Sequence, residues 1–158
     1  MNTNCIVETI SSSTTGNWKA IYLVKEGVRQ KTTLFENTIN FLSSFTYQST
    51  KLITDCSIGY AYFSTIEPKT HILPHCGPCN LKLRVHLPIS LPQDEQACWI
   101  SVGNERKNWK EGELLVFDDS FVHEVKNDSS EERVVLVFDI WHPDLLQSEI
   151  GHLQQFPL

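Results

Sequence analysis

The sequence predicts a mainly β protein, a sandwich or closed barrel of short strands. Three observations predict it. From Ile58 onward the chain consists almost entirely of short strand-like runs separated by Gly and Pro turns, the spacing typical of sandwiches and barrels. Residues 81–87 alternate strictly: Leu81, Leu83, Val85 and Leu87 share one face, and Lys82, Arg84 and His86 share the other. Residues 133–140 alternate in the same way, with Arg133, Val135, Val137 and Asp139 against the apolar Val134, Leu136, Phe138 and Ile140.

In chain order, residues 1–16 are rich in Ser, Thr and Asn and are expected to form a flexible arm, followed by a single domain over residues 17–158. Residues 18–24 have the aromatic and β-branched content of a strand, closed by a Glu26-Gly27 turn. Thr33 and Glu36 have capping-box spacing. Leu34, Thr38, Phe41, Leu42 and Phe45 then follow a helical period, so one amphipathic helix is expected near residues 33–46, covering a sheet face. Strands are expected over 59–66 (Tyr60, Tyr62 and Ser64 on one face), 71–73, 81–87 and 97–102. A Gly103-Asn104 hairpin turn follows, and further strands are expected over 114–117, 121–125 and 133–140.

The 158 residues fit one domain, and 41% hydrophobic content is enough for a core. A net charge of -6 argues against nucleic acid or an anionic membrane surface as partner. No run approaches the roughly 18 apolar residues of a transmembrane helix. The first residues show no basic segment followed by an apolar core, as a secretory signal would. Cys5, Cys56, Cys76, Cys79 and Cys98 are therefore expected to be reduced thiols in a cytoplasmic protein. The Cys76-Gly-Pro-Cys79 pair has the spacing of a zinc half-site or a redox pair. No second pair accompanies it, and it precedes a strand instead of opening a helix, which favours structural thiols.

The chemistry concentrates between His71 and Leu87. A polar strand face carrying only cationic or cation-capable groups, Lys82, Arg84 and His86, opens from a turn that holds His75. Such a cluster suits a site that holds a metal and an anion. Of the six histidines, His75 and His123 each lie at a turn–strand junction; a jelly roll brings such distant positions to one barrel mouth, and two imidazoles on one metal leave open positions for a bidentate ligand. Arg133, at the mouth of a mostly apolar strand, calls for an anionic partner, either an Asp or Glu of the domain or a ligand carboxylate held bidentately. Asp118 and Asp119 either orient His123 or cap a turn. His71 and His152 read as surface or packing residues.

Three runs carry a family resemblance: P-H-C-G-P-C-N-L-K-L-R-V-H-L-P, W-K-E-G-E-L-L-V-F-D-D-S-F-V-H-E-V and R-V-V-L-V-F-D-I-W-H-P-D-L. Together they resemble the aspartyl/asparaginyl β-hydroxylase family over roughly residues 18–145. The resemblance implies a double-stranded β-helix, that is, a cupin-like jelly roll, with one or two covering helices near the N-terminus. It implies an iron(II)- and 2-oxoglutarate-dependent dioxygenase that consumes O2, hydroxylates its substrate and releases succinate and CO2. By the same resemblance His75 and His123 are the iron ligands, and Gly77 stands where related oxygenases place a carboxylate, so that water fills the vacant position. Ser64, His86 and Arg133, with Trp18 nearby, are the 2-oxoglutarate contacts, and Lys82 and Arg84 are the substrate-facing basic pair. The family usually has arginine where this chain has Lys82, and lysine cannot reproduce a planar fork. Trp141 and His142 fall in the matched segment and are expected to be structural.

With His86 and Arg133 committed to 2-oxoglutarate, Lys82 and Arg84 are expected to be free cations that select a carboxylate-bearing small molecule, amino acid or peptide; their other reading is pairing with Asp or Glu inside the domain. Two alternatives stand beside the hydroxylase. One is a halogenase that uses the vacant carboxylate position for halide, and the other a non-catalytic cupin-like binding module.

Overall fold

The long strands of the two large sheets turn one face into a shared interior, which is why period-two patterning dominates this sequence. The computed structural model describes residues 7–9, 14–31, 34–47, 50–51 and 53–155. The strands are β1 Val7–Thr9, β2 Thr14–Thr15, β3 Trp18–Lys25, β4 Val28–Arg29, β5 Thr46–Tyr47, β6 Thr50–Lys51, β7 Ala61–Ile66, β8 Thr70–His75, β9 Lys82–Ser90, β10 Cys98–Val102, β11 Glu105–Lys107, β12 Leu115–Phe117, β13 His123–Asn127 and β14 Arg133–Trp141. Two helices accompany them, α1 Glu36–Ser43 and α2 Gln147–Gln155.

Among the described residues, a seven-stranded sheet runs β1-β3-β7-β14-β9-β12, with β4 added to β3, and a five-stranded sheet runs β11-β10-β13-β8-β2. All pairings in both are antiparallel. Strand β14 lies between β7 and β9, so consecutive strands leave one sheet and return to it, as in a double-stranded β-helix. The β3–β4 hairpin turns on Glu26 and Gly27, both at positive φ (49° and 70°), the conformation of a type I′ turn.

The interior holds Ala20, Tyr62, Ile66, Ile72, Ile100, Val125, Val135 and Val137. Strand β14 supplies both layers: Val135 and Val137 face inward with Arg133 and Asp139, and Leu136 faces outward, with Phe138 and Ile140 packed beside it, into a second core under α1. Strand β9 does the same, with Lys82, Arg84 and His86 inward and Leu87 outward in that second core. The apolar face of β9 therefore packs beneath α1, the helix expected to cover it.

Helix α1 differs in extent and phase from the expected 33–46. It spans Glu36–Ser43 and buries Ile39 and Leu42, with the Phe35 ring packed against Phe63, tilted 45° at 4.9 Å between centroids. Those positions follow i, i+4, i+7, a cleaner stripe than the expected set, whose Leu34 (54% exposed) and Phe41 (58%) point outward. Phe35 takes the N-cap position without a side-chain cap bond, and Thr33 of the expected capping box lies outside the described residues, as does Cys5. The second helix is C-terminal rather than N-terminal: α2 buries Ile150 against Trp141 and Cys56. Of residues 1–16, expected to form a flexible arm, 1–6 and 10–13 lie outside the described residues; of the rest, β1 pairs with β3 and β2 with β8.

Candidate active site

Strands β8 and β13 place His75 directly opposite His123. A register shift between His123 and Val125 lets the pair face each other, with ring centroids 4.2 Å apart and planes at 54°. Each imidazole is turned by its own chain: Nδ1 of His75 lies 2.8 Å from the Leu73 carbonyl and Nδ1 of His123 lies 2.9 Å from the Phe121 carbonyl. A carbonyl only accepts, so both Nδ1 atoms carry the proton and both Nε2 atoms hold a free lone pair. Burial, with His75 and Arg84 close by, pushes His123 down to about 4, so it is neutral at physiological pH. Two imidazoles presenting Nε2 side by side, each with Nδ1 turned onto backbone, fit a divalent metal.

Gly77 lies two residues beyond His75. A Cβ there would fall 2.6 Å from Cγ of Asp119 and 2.7 Å from both of its carboxylate oxygens. The Asp119 carboxylate thus fills the space that a side chain at 77 would need, and the Gly77 amide donates to the Asp119 carbonyl at 2.6 Å. Neither aspartate of the Asp118-Asp119 pair orients His123. Asp118 caps its turn by accepting from the Ser120 amide at 2.9 Å, and Asp119 is fully buried among cations.

Those cations are Lys82 and Arg84, and here the structure corrects the expectation of two free, substrate-facing groups. Lys82 is 1% exposed; its Nζ donates to both Asp119 oxygens at 2.9 and 2.8 Å and lies 3.3 Å from Asp139. Each nitrogen of Arg84 is engaged: Nε with Asp139 Oδ1 at 2.9 Å, Nη2 with Asp139 Oδ2 at 3.1 Å and Nη1 with Asp119 Oδ2 at 3.0 Å. Two cations meet two carboxylates in a closed, neutral quartet. Asp139 lies opposite Arg84 in the β14–β9 register, which makes the pairing a consequence of strand alignment. The patterning that marks Lys82, Arg84 and Asp139 as inward residues is visible in the sequence; the entry of Asp119 from a distant turn is not.

Arg133 behaves otherwise. It is 1% exposed, and its Nε and Nη1 have no hydrogen-bond partner. Burial pushes its pKa down to about 10, still protonated at neutral pH. A buried cation with unfilled donors is expensive unless an anion joins it. Around it a cavity of about 30 Å³ is lined by Trp18, Ser64, His75, Arg84, His86 and His123, among others. Trp18 donates Nε1–H to Ser64 Oγ at 3.0 Å, so the Ser64 hydroxyl keeps its own proton to donate. His86 is held neutral, its pKa well below the usual value, by burial and by the nearby Arg133 and Arg84. Trp109 donates Nε1–H to His86 Nδ1 at 3.2 Å, and the Arg133 guanidinium carbon lies 4.7 Å from the centroid of the Trp109 ring. Trp109 opens one of the three runs that carry the family resemblance, but its role is not legible there because it lies in a loop with no periodicity.

The fold and the facing imidazoles define a cupin-like double-stranded β-helix with a two-histidine centre beside a buried, cation-lined cavity. The architecture is shared with a predicted oxalate decarboxylase from Thermotoga maritima of known crystal structure, with a TM-score of 0.55 at 10% identity over 90% of this chain and 100% of that one. The family model for aspartyl/asparaginyl β-hydroxylase matches residues 3–143, and this chain belongs to that family. It is 38% identical over 132 residues to the human Aspartyl/asparaginyl beta-hydroxylase, covering 82% of this chain and 16% of that protein. It is 34% identical over 145 residues to the human Aspartate beta-hydroxylase domain-containing protein 2, covering 89% of this chain and 37% of that protein. The chain thus spans well under half the length of these relatives.

Proposed function

We propose that the chain is an iron(II)- and 2-oxoglutarate-dependent dioxygenase that hydroxylates a small molecule or a peptide residue, with release of succinate and CO2. The single observation that carries this reading is Arg133: a fully buried guanidinium with two unpartnered donors, in one cavity with two imidazoles whose Nε2 lone pairs are free. That combination fits a ligand that is anionic at one end and chelates a metal at the other.

His75 and His123 would hold the iron through Nε2. Bound iron(II), with 2-oxoglutarate and O2, supplies the oxidative chemistry, and the chain supplies position and charge. Arg133 binds the distal carboxylate through its unpartnered in-plane N–H donors, and Ser64, oriented by Trp18, donates its hydroxyl proton to the same group. His86, neutral, offers a donor to the keto-acid end. Family membership supports hydroxylation over the binding module, and no feature of the site favours the halogenase: glycine at 77 is already explained by the Asp119 carboxylate packed against it. Since Lys82 and Arg84 are spent on Asp119 and Asp139, the expectation of a carboxylate-bearing substrate loses its premise, and the substrate need not be anionic.

The test is succinate formation from 2-oxoglutarate with and without added iron(II), alongside 2-oxoglutarate binding. Iron-dependent succinate, with product gaining one oxygen from a substrate panel, is the expected result. Halide incorporation would favour the halogenase, and binding without any turnover would favour the module.

A further inference from the structure

We infer that Trp109 is the positioning residue of the anion pocket, setting the tautomer of His86 and the plane of Arg133 so that both present donors to a carboxylate ligand. The inference rests on the proposed 2-oxoglutarate site and adds a residue to it.

Three observations carry it. Trp109 is 2% exposed and is the largest fully buried side chain among the described residues, although it belongs to the loop between β11 and β12. That loop is tied down beside it: Asn108 Nδ2 donates to the Glu95 carbonyl at 2.7 Å and to the Cys98 carbonyl at 2.9 Å. From this anchored position the indole touches two polar members of the pocket, His86 and Arg133. Its Nε1–H donates to His86 Nδ1 at 3.2 Å, with the rings inclined by only 16°, and its face lies against the Arg133 guanidinium at 4.7 Å.

The chemistry follows from what an indole can do. Indole nitrogen only donates. The His86 nitrogen that receives the bond must therefore hold a lone pair, and the proton of a neutral imidazole must sit on Nε2. His86 lines the cavity, so the tautomer chosen by Trp109 gives that cavity a donor where the other tautomer would give it an acceptor that repels a carboxylate. On Arg133 the ring does a second task. It covers one face of the guanidinium, where a cation is attracted to the π-cloud, and leaves the in-plane N–H edge uncovered. Nε and Nη1, which lie in that plane, are the unpartnered donors. A planar cation with its face stacked and its in-plane donors open is ready to take carboxylate oxygens.

Nitrogen-15 NMR of the imidazoles in metal-free wild-type protein reads the tautomer directly and needs no variant. The expected spectrum has His86 protonated on Nε2 and unprotonated on Nδ1. A proton on Nδ1 overturns the inference. Trp109→Phe then keeps a ring face for Arg133 and deletes the donor. In a folded variant His86 should lose its single tautomer, and the 2-oxoglutarate dissociation constant should rise about three- to tenfold, the range of one net hydrogen bond. Iron(II) affinity should stay unchanged and kcat should move less than KM. Trp109→Leu, which also removes the ring face, should bind 2-oxoglutarate more weakly still. If Trp109→Phe retains wild-type 2-oxoglutarate affinity, or loses iron and 2-oxoglutarate together, Trp109 is a packing residue and the inference fails. Wild-type protein with the expected tautomer but no affinity for 2-oxoglutarate would instead overturn the proposed function and leave the tautomer assignment standing.

Discussion

His75 and His123 face each other across β8 and β13 at 4.2 Å between ring centroids, each with Nδ1 turned onto the carbonyl two residues before it. Both rings are thus oriented by local backbone, independently of the rest of the site. Replacing either by Ala should abolish iron(II) binding while leaving the metal-free protein folded. The check is a melting curve: wild type should gain about 2.7 kcal/mol with metal at a hundredfold its Kd. Each variant should gain nothing. Metal-induced stabilisation that survives in both variants would show that these are not the ligands.

Arg133 exchanges apo stability for ligand affinity. Its folded pKa, near 10, lies below the value of about 12.5 for an exposed guanidinium, so the unfolded chain holds the proton more tightly. For a base lowered in this way the cost is fully present at neutral pH and is relieved only as pH rises from about 10 toward 12.5. Arg133→Met should therefore stabilise the metal-free protein, by about 1–3 kcal/mol, while abolishing 2-oxoglutarate binding. Arg133→Lys keeps the charge and loses the fork, and its 2-oxoglutarate affinity should fall about tenfold or more. An Arg133→Met protein less stable than wild type would mean that the guanidinium is better satisfied than its unpartnered donors indicate.

Two buried imidazoles make the apo protein acid-sensitive. His123 is lowered to about 4 and His86 lies well below its usual value, both chiefly by burial. For a histidine lowered on folding, stability is undiminished above the unfolded pKa of about 6.5 and falls with pH until the folded pKa is reached. His123 alone contributes up to about 3 kcal/mol over that window. Urea unfolding of the metal-free protein at pH 7, 5.5 and 4.5 should show this decline, and His86→Phe should flatten part of it. A flat profile would mean that one or both rings are accessible to water.

The legible parts of this chain are those where one strand carries two jobs. Strands β9 and β14 each pair an apolar face with a polar one, so their inward residues, His86 and Arg133 among them, can be read from period two, although β9 runs on to Ser90, past the expected end at 87. Helix α2 left little signal because, of its nine residues, Ile150 alone is buried. Strand β11 is three exposed charged residues, held by pairing with β10 and by Arg106, which donates to the Gln96 carbonyl and lies over Trp99. Helix α1 misled by phase: Phe41 and Phe45 fit a helical period, yet they pair edge-on with each other at the surface. The failure at Lys82 and Arg84 is of another kind. Their inward direction was readable, but what they meet depends on Asp119 arriving from a turn 37 residues away from Lys82. Charge on a buried face states a need for a counter-charge and not where it comes from.

The quartet changes what Arg84→Gln should do. With Arg84 as a free substrate contact, the change would spare the fold. With Nε, Nη1 and Nη2 engaged on Asp139 and Asp119, it leaves two buried carboxylates to share Lys82. Removing one member of a buried ion cluster costs about 3–5 kcal/mol. At about 2–4 °C per kcal/mol for a domain of this size, Tm should drop by roughly 6–20 °C. A variant that melts with wild type but loses substrate affinity would restore the substrate-binding role.

Gly77 offers the sharpest steric test. Its Cα points at a carboxylate that is itself locked in place, since both Asp119 oxygens are held by Lys82 and one also by Arg84. The atom a new Cβ would meet, at 2.6 Å, is therefore not the free end of a mobile side chain. Gly77→Ala should be destabilising by about 1–3 kcal/mol, as overpacking in a rigid core is. Gly77→Asp adds a second carboxylate beside Asp119 and should be worse, with like charges placed together in a dry site. That outcome separates two explanations of the glycine. If position 77 were merely vacant, an aspartate there would be tolerated and would tighten iron(II) binding by adding a third protein ligand. With the space already filled by Asp119, Gly77→Asp should lower Tm further than Gly77→Ala and weaken iron(II) binding by displacing the His75 turn. Differential scanning fluorimetry with an iron(II) titration decides it. A Gly77→Asp protein that folds normally and binds iron more tightly would show that Asp119 moves aside.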